Sequence, residues 1–251
     1  MKQTPEHAEE SRKETTSRPD SGFMEKTFGQ GWKRKFGLVF LVLVVVAGGA
    51  GAWMFLSPLL ERRIPMEEFG LECLQATADR DQDGLDDQSD IYQSALDYLS
   101  TSPSYQSRYY SGGYPDDDCG VCTDVVGFAL LGAGYNLRDL MNADIQTSPE
   151  AYQIDHPDSN IDFRRVRNIK IWLDRYARSL SRDLRDPLAW QPGDIVVFPE
   201  HIGIISEYRN ASNVPYVLHL RSGIQLSHEE DILEARNDLV GHYRIIEELI
   251  P

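Results

Sequence analysis

Three residues far apart in the chain, Cys122, His201 and His219, carry the side chains that nucleophilic catalysis by sulfur requires. A thiolate attacks, an imidazole within hydrogen-bond reach exchanges the proton, and a third polar group holds that imidazole in one tautomer and orientation. Cys122 precedes the apolar run Val125 to Leu131, which ends at Gly132 and Gly134 and therefore reads as a buried helix with glycines at its carboxyl end. Free backbone N–H groups and the positive dipole end in a first helical turn favour a thiolate, so a lowered Cys122 pKa is expected. His201 opens one predicted strand and His219 lies in the next, which places both rings on one face if the strands pair antiparallel. Singly, a cysteine in an apolar helix is commonly a small core residue and a strand histidine is commonly structural. Their order along the chain is what points to hydrolytic chemistry.

A second constellation spans residues 79–90, where carboxylates stand at loop positions 1, 3, 5, 9 and 12 and Gly84 at position 6. This is calcium-loop spacing: Asp79, Asp81, Asp83, Asp87 and Asp90 supply oxygens, Leu85 offers its carbonyl, and Gly84 permits the sharp turn. The expected ion is structural, pinning a helix whose apolar spacing begins at Ile91 and stops near Pro103. A solvated acidic turn is the bland alternative, and nothing in the chain calls for an organic cofactor.

Three cysteines cannot all pair within one chain. In an oxidising compartment Cys73 and Cys119 could form a disulfide that leaves Cys122 reactive. The spacing Cys119-Gly-Val-Cys122 also fits a thiol oxidoreductase, although no predicted strand immediately precedes it and that chemistry leaves His201 and His219 unexplained. A third class is a calcium-dependent surface-binding or scaffold module in which the cysteine is inert.

The elements that must position these groups change character along the chain. Residues 160–181 read as an amphipathic helix with Val166, Ile169, Trp172, Leu173 and Tyr176 on its apolar side. Arg164, Arg165 and Arg167 form the domain's basic cluster and are expected to pair internally with aspartates. Asp124 is expected to cap its helix or pair with an arginine, and Trp190 to pack beneath a sheet turn. His156, His228 and His242 lack spaced partners and read as surface or packing residues, which argues against zinc. Strand texture follows at 194–198, 202–208, 216–220 and 243–246, so helices precede strands and the class is α+β.

The amino-terminal part has a different composition. Residues 1–35 are rich in Glu, Ser, Thr and Lys and read as a disordered cytoplasmic tail. Phe36 to Leu56 runs without a charge, long enough to cross roughly 30 Å of hydrocarbon, so 36–60 is expected to be a transmembrane helix, followed by a spacer over 61–74. Lys33, Arg34 and Lys35 at its amino end predict that the tail lies inside and the domain over 75–251 outside. Beyond residue 63 the chain holds fifteen basic against thirty-three acidic side chains, a surface that repels phosphate backbones and excludes nucleic acid as a partner.

The order of a Tyr and Gly-Gly turn (Tyr109 or Tyr110, Gly112-Gly113), a helix-start Cys122 and the strand-borne His201 and His219 resembles the NlpC branch of papain-like cysteine peptidases. The strings Gly-Gly-Tyr-Pro, Gly-Val-Cys-Thr-Asp-Val-Val, Asn-Ile-Asp-Phe-Arg-Arg-Val, Trp-Gln-Pro-Gly-Asp-Ile-Val, His-Ile-Gly-Ile-Ile-Ser and Gly-His-Tyr-Arg are more closely similar to domain-of-unknown-function family 1287, over about residues 75 to 246. The resemblance implies a papain-like fold, helices on an antiparallel sheet, and amide hydrolysis in a cell-wall peptide. Thr123-Asp124 stand where the NlpC pattern has Ser-Gly. On this reading Cys122 attacks, His201 is the base, His219 orients it, and Tyr110, Gly113 and the Cys122 amide form the substrate or oxyanion side.

Overall fold

The computed structural model describes residues 62–250 together with Gly49. The expected tail, and the membrane helix apart from Gly49, lie outside the described residues. Among the described residues no helix is long and apolar enough to cross a membrane. The chain divides into two units, Met1–Phe55 and Leu56–Pro251, and the second carries the fold.

That fold is α+β. Helix α1 (Asp87–Ser100) starts where Asp86 accepts from the Ser89 N–H, and it buries Ile91, Ala95 and Leu99 at helical spacing. Helix α2 (Cys122–Gly132) is buried on nearly every side, as its apolar sequence demands. It crosses α1 closely at Gly132, where an added Cβ would sit 2.0 Å from Ser94 Oγ. Helices α3 (Leu137–Thr147) and α4 (Pro149–Tyr152) follow, and α5 (Val166–Tyr176) packs Ile169, Trp172 and Leu173 inward. The expected 160–181 helix is shorter at both ends. Arg165 is extended, which separates a 3₁₀ turn at Asp162–Arg164 from α5, and Arg178–Ser179 leaves to form a strand.

The strands are β1 (Ile64–Pro65), β2 (Ser104–Tyr105), β3 (Cys119–Gly120), β4 (Arg178–Ser179), β5 (Ile195–Phe198), β6 (His201–Arg209), β7 (Pro215–Leu218), β8 (Glu229–Glu230) and β9 (Gly241–Arg244). The main sheet runs β4-β9-β5-β6-β7-β8, antiparallel throughout, with β1 added to β6. The four strands read from sequence are present, and the short ones are the additions. Ile195, Val197, Ile202 and Ile204 face the helices in one core, while Val196, Phe198, Ile205 and Val217 join Trp190 and Leu233 in a second. The period-two alternation of β5 and β6 thus fills both faces of the sheet.

Trp190 is fully buried and stacks on His242 at 3.9 Å between ring centroids, so both are packing residues. His242 Nε2 lies 3.0 Å from Asp194, which also takes a bidentate pair from Arg244 at 2.7 Å, and Gln88 donates to the same carboxylate. Asp194 therefore ties α1 to the centre of the sheet, and its charge is matched where it is buried.

Candidate active site

Cys122 occupies the first position of α2, preceded by Val121 in an extended conformation. The Val121 N–H donates to Asp124 at 2.8 Å, which closes the first turn. Asp124 in turn accepts two bonds from Arg164, at 2.6 and 2.8 Å, with both side chains out of contact with solvent. Arg164 also donates to the Arg108 carbonyl at 2.6 Å and lies over the Tyr110 ring. The cap and the arginine partner expected for Asp124 are both present, and they clamp the turn that carries the sulfur. Within the basic cluster, Arg165 lies 3.8 Å from Asp162, and Arg167 donates to the Tyr152 carbonyl and to Gln153.

The sulfur meets the sheet at the start of β6. Strand β7 pairs with β6 only as far as Leu218, and the Ile202 backbone hydrogen-bonds to Cys122 instead. The residue before Ile202 is His201. Its Nε2 lies 2.8 Å from His219 Nδ1, with the rings edge to face at 84°. Gly203 makes this approach possible: an added Cβ would sit 2.5 Å from Val217 Cγ1, 2.8 Å from the Leu218 carbonyl and 3.2 Å from His219 Cβ. On its far side His219 Nε2 lies 3.2 Å from Glu230, which accepts from Arg221 at 2.9 and 3.2 Å.

The electrostatics differ from the expected resting thiolate. Burial pushes the Cys122 thiol up to about 11, outweighing the backbone bonds from Ile202 and Thr123 that favour its anion. The helix start lowers the cost of a thiolate without overcoming desolvation. Burial, reinforced by His219, Arg236 and Arg221, drops His201 to about 3 and leaves the imidazole neutral with a lone pair to offer. Burial also opposes ionisation of Glu230, but its bonds to His219 and Arg221 prevail and hold the carboxyl down at about 2.

The aromatic stretch before the cysteine is arranged differently from the sequence expectation. The Tyr110 hydroxyl donates to Asp117 at 2.8 Å, so it is already committed. Gly113, at φ +86°, is packed against Arg138 and Phe163, where an added Cβ would meet Arg138 at 2.7 Å. The tyrosine that feels the Cys122 charge is Tyr105: burial raises its phenol pKa, and the neighbouring Cys122 and Asp124 raise it further. Parallel pairing of β2 with β3 brings Tyr105 opposite Gly120, two residues before the cysteine. Tyr105 and Leu220 line a groove of about 530 Å³ with Arg221, Gln225 and Ser227. A second groove, of about 810 Å³, includes Pro199 and Glu200, adjacent to His201, together with Arg165 and Asp162.

All three cysteines are free. The considered Cys73–Cys119 bridge is not formed: Cys73 Sγ sits 3.3 Å from Met66 Sδ, whereas Cys119 Sγ contacts Gln106 at 3.4 Å. As expected for the C-x-x-C segment, no strand ends immediately before it: β3 begins at Cys119 itself and covers only the first two residues of the motif.

In the 79–90 loop, Asp79, Asp81 and Asp83 bring carboxylate oxygens within 4.8 Å of one another on the surface. Gly84 takes φ +99°, as the turn requires. Asp87 is turned away, accepting from the Arg80 N–H at 2.8 Å and from the Tyr135 hydroxyl. Asp90 is buried and held up at about 6 by desolvation and by the nearby Asp81 and Asp83. The Leu85 side chain is exposed, and its N–H donates to Asp83 at 2.8 Å.

These features define an α+β domain with a helix-start cysteine, and a histidine at the start of β6 in contact with a second one just past the end of β7. The chain belongs to the family described as a domain of unknown function (DUF1287), whose model matches residues 92–245. It is similar to the uncharacterized protein YijF of Escherichia coli (strain K12), 35% identical over 156 residues that cover 58% of this chain and 74% of the relative. No solved structure matches.

Proposed function

We propose that this chain is a cysteine hydrolase of the papain-like NlpC type, cleaving amide bonds in peptidoglycan or a related cell-wall peptide. The observation that carries the reading is the 2.8 Å contact between His201 Nε2 and His219 Nδ1 next to the backbone that bonds Cys122. A neutral imidazole oriented by a second polar ring is what a cysteine base needs.

On this reading Cys122 attacks the substrate carbonyl carbon as His201 takes its proton. The C–N bond then breaks, the amine leaves with that proton, and a thioester remains on the sulfur. Water, deprotonated by His201, cleaves the thioester and restores the thiol. Because burial holds Cys122 near 11, proton transfer accompanies attack rather than preceding it. The Cys122 N–H and the Tyr105 hydroxyl are the donors proposed for the developing oxyanion.

The membrane helix at 36–60 would tether the domain outside the cell, beside its substrate, and calcium on Asp79, Asp81 and Asp83 would brace the start of α1. The test is incubation of the full chain with purified wall fragments and mass spectrometry of the products. New amine and carboxyl termini that disappear with Cys122→Ala support the reading; equal release by the variant removes it.

One observation favours a second reading. The buried thiol with its raised pKa also suits an inert cysteine in a calcium-dependent surface module. Labelling by a peptidyl electrophile separates the two, since an inert Cys122 stays unmodified at neutral pH.

A further inference from the structure

Four groups around the start of β6 and the end of β7, His201, His219, Glu230 and Arg221, have a fixed order of donors and acceptors. Glu230 belongs to β8, and pairing of Val217 with Glu230 brings its carboxylate alongside the strand that ends just before His219. The His219 side chain is 1% exposed, and its Nε2 lies 3.2 Å from Glu230 Oε2. Arg221 binds the same carboxylate through two nitrogens, at 2.9 and 3.2 Å, which keeps it an anion and an acceptor only.

We propose that Glu230 is the last member of a relay running from Cys122 through His201 and His219, a positioning residue that keeps a proton on His219 Nε2 and leaves His201 Nδ1 as the basic nitrogen. This rests on the hydrolase reading and deepens it. A singly protonated imidazole has one donor and one acceptor, and although His219 Nε2 is not aligned for a hydrogen bond, the carboxylate charge 3.2 Å away favours the tautomer with the proton on Nε2. His219 Nδ1 then has only a lone pair. At 2.8 Å, His201 Nε2 must donate to it, so the His201 lone pair is on Nδ1. Without the anion, His219 can carry its proton on Nδ1 instead. His201 Nε2 would then have to accept, which puts the His201 proton on Nδ1 and removes the base. The pair switches as one unit, and Glu230 sets its direction.

The test uses the full chain and two measurements. Long-range proton–nitrogen correlation spectra of the histidine rings report which nitrogen carries the proton, and the wild-type protein is expected to show Nε2–H on both His201 and His219. Nδ1–H on His219 in the wild type overturns the proposal without any variant. Glu230→Gln is expected to shift both rings toward Nδ1–H. It should also slow iodoacetamide alkylation of Cys122, followed by peptide mass spectrometry, by roughly tenfold, in the range seen when outer-shell partners of a working group are removed. Glu230→Asp, which keeps the charge, should restore most of the rate, whereas a merely structural role would not track charge. Unchanged tautomers and rate in Glu230→Gln overturn the relay. If His201→Ala still slows alkylation in that case, the Cys122 and His201 pair survives; if it does not, the hydrolase reading fails as well.

Discussion

His201 and His219 stand edge to face, Nε2 to Nδ1 at 2.8 Å, because Gly203 leaves no Cβ between β6 and the end of β7 that leads into His219. Neither strand could be moved by a methyl group without opening this contact.

Gly203→Ala is therefore expected to destabilise the domain by about 1–3 kcal/mol through overpacking against Val217 and the Leu218 carbonyl. Denaturant unfolding reads the loss. The same variant should lower Cys122 alkylation more than stability requires, because His219 is displaced from His201.

The Asp124 and Arg164 pair carries a larger stake. Asp124→Asn leaves a guanidinium buried without its charge partner, and breaking such a pair costs about 3–5 kcal/mol. Replacing both residues with apolar ones of similar size should recover much of that stability. Thiol reactivity should not recover, since the bond to the Val121 N–H would still be missing.

Acid should unfold the domain partly through His201. Its pKa falls from the ordinary histidine value of 6.5 to about 3 on folding, so the unfolded state binds its proton first. The stability is present above about 6.5 and is lost as pH falls toward about 3, by an amount on the order of a few kcal/mol. His201→Phe should flatten this part of a stability-against-pH curve, and an unchanged slope would contradict the assignment.

Cys122 runs the other way. Its proton is retained in the folded state up to about 11, above the ordinary thiol value of 9.0, so stability is lost as pH rises between those values. Iodoacetamide alkylation of Cys122 should climb through the same window, later than for an exposed thiol, and Cys122→Ala should abolish both effects.

Calcium, if it occupies the 79–90 loop, should raise the melting temperature by linkage and reverse with a chelator. Asp81→Asn should remove the response, because Asp81 belongs to the exposed trio and also raises the Asp90 pKa. A melting temperature indifferent to calcium in the wild type would remove the ion from the account.

How far the site was legible follows from which contacts are local. A helix beginning near Cys122 was written in the apolar run that follows it, and Asp124, two residues on, had to face either its own turn or an arginine. Tyr110 and Tyr105 looked alike in composition. The pairing of β2 with β3 brings Tyr105 to the sulfur's surroundings, while Asp117 takes up the Tyr110 hydroxyl. The 160–181 pattern carried no mark of the break at Arg165, because a 3₁₀ turn and a helix share nearly the same apolar spacing.

By itself the sequence determined the α+β class, the four main strands, the helix behind the cysteine and the candidacy of two histidines, since each is a matter of periodicity and neighbouring residues. The tertiary structure alone decided that His219 touches His201, that Glu230 and Arg221 stand behind it, and that burial keeps Cys122 a thiol. Those outcomes depend on strand register and on the exclusion of water, and both exist only once distant segments have packed together.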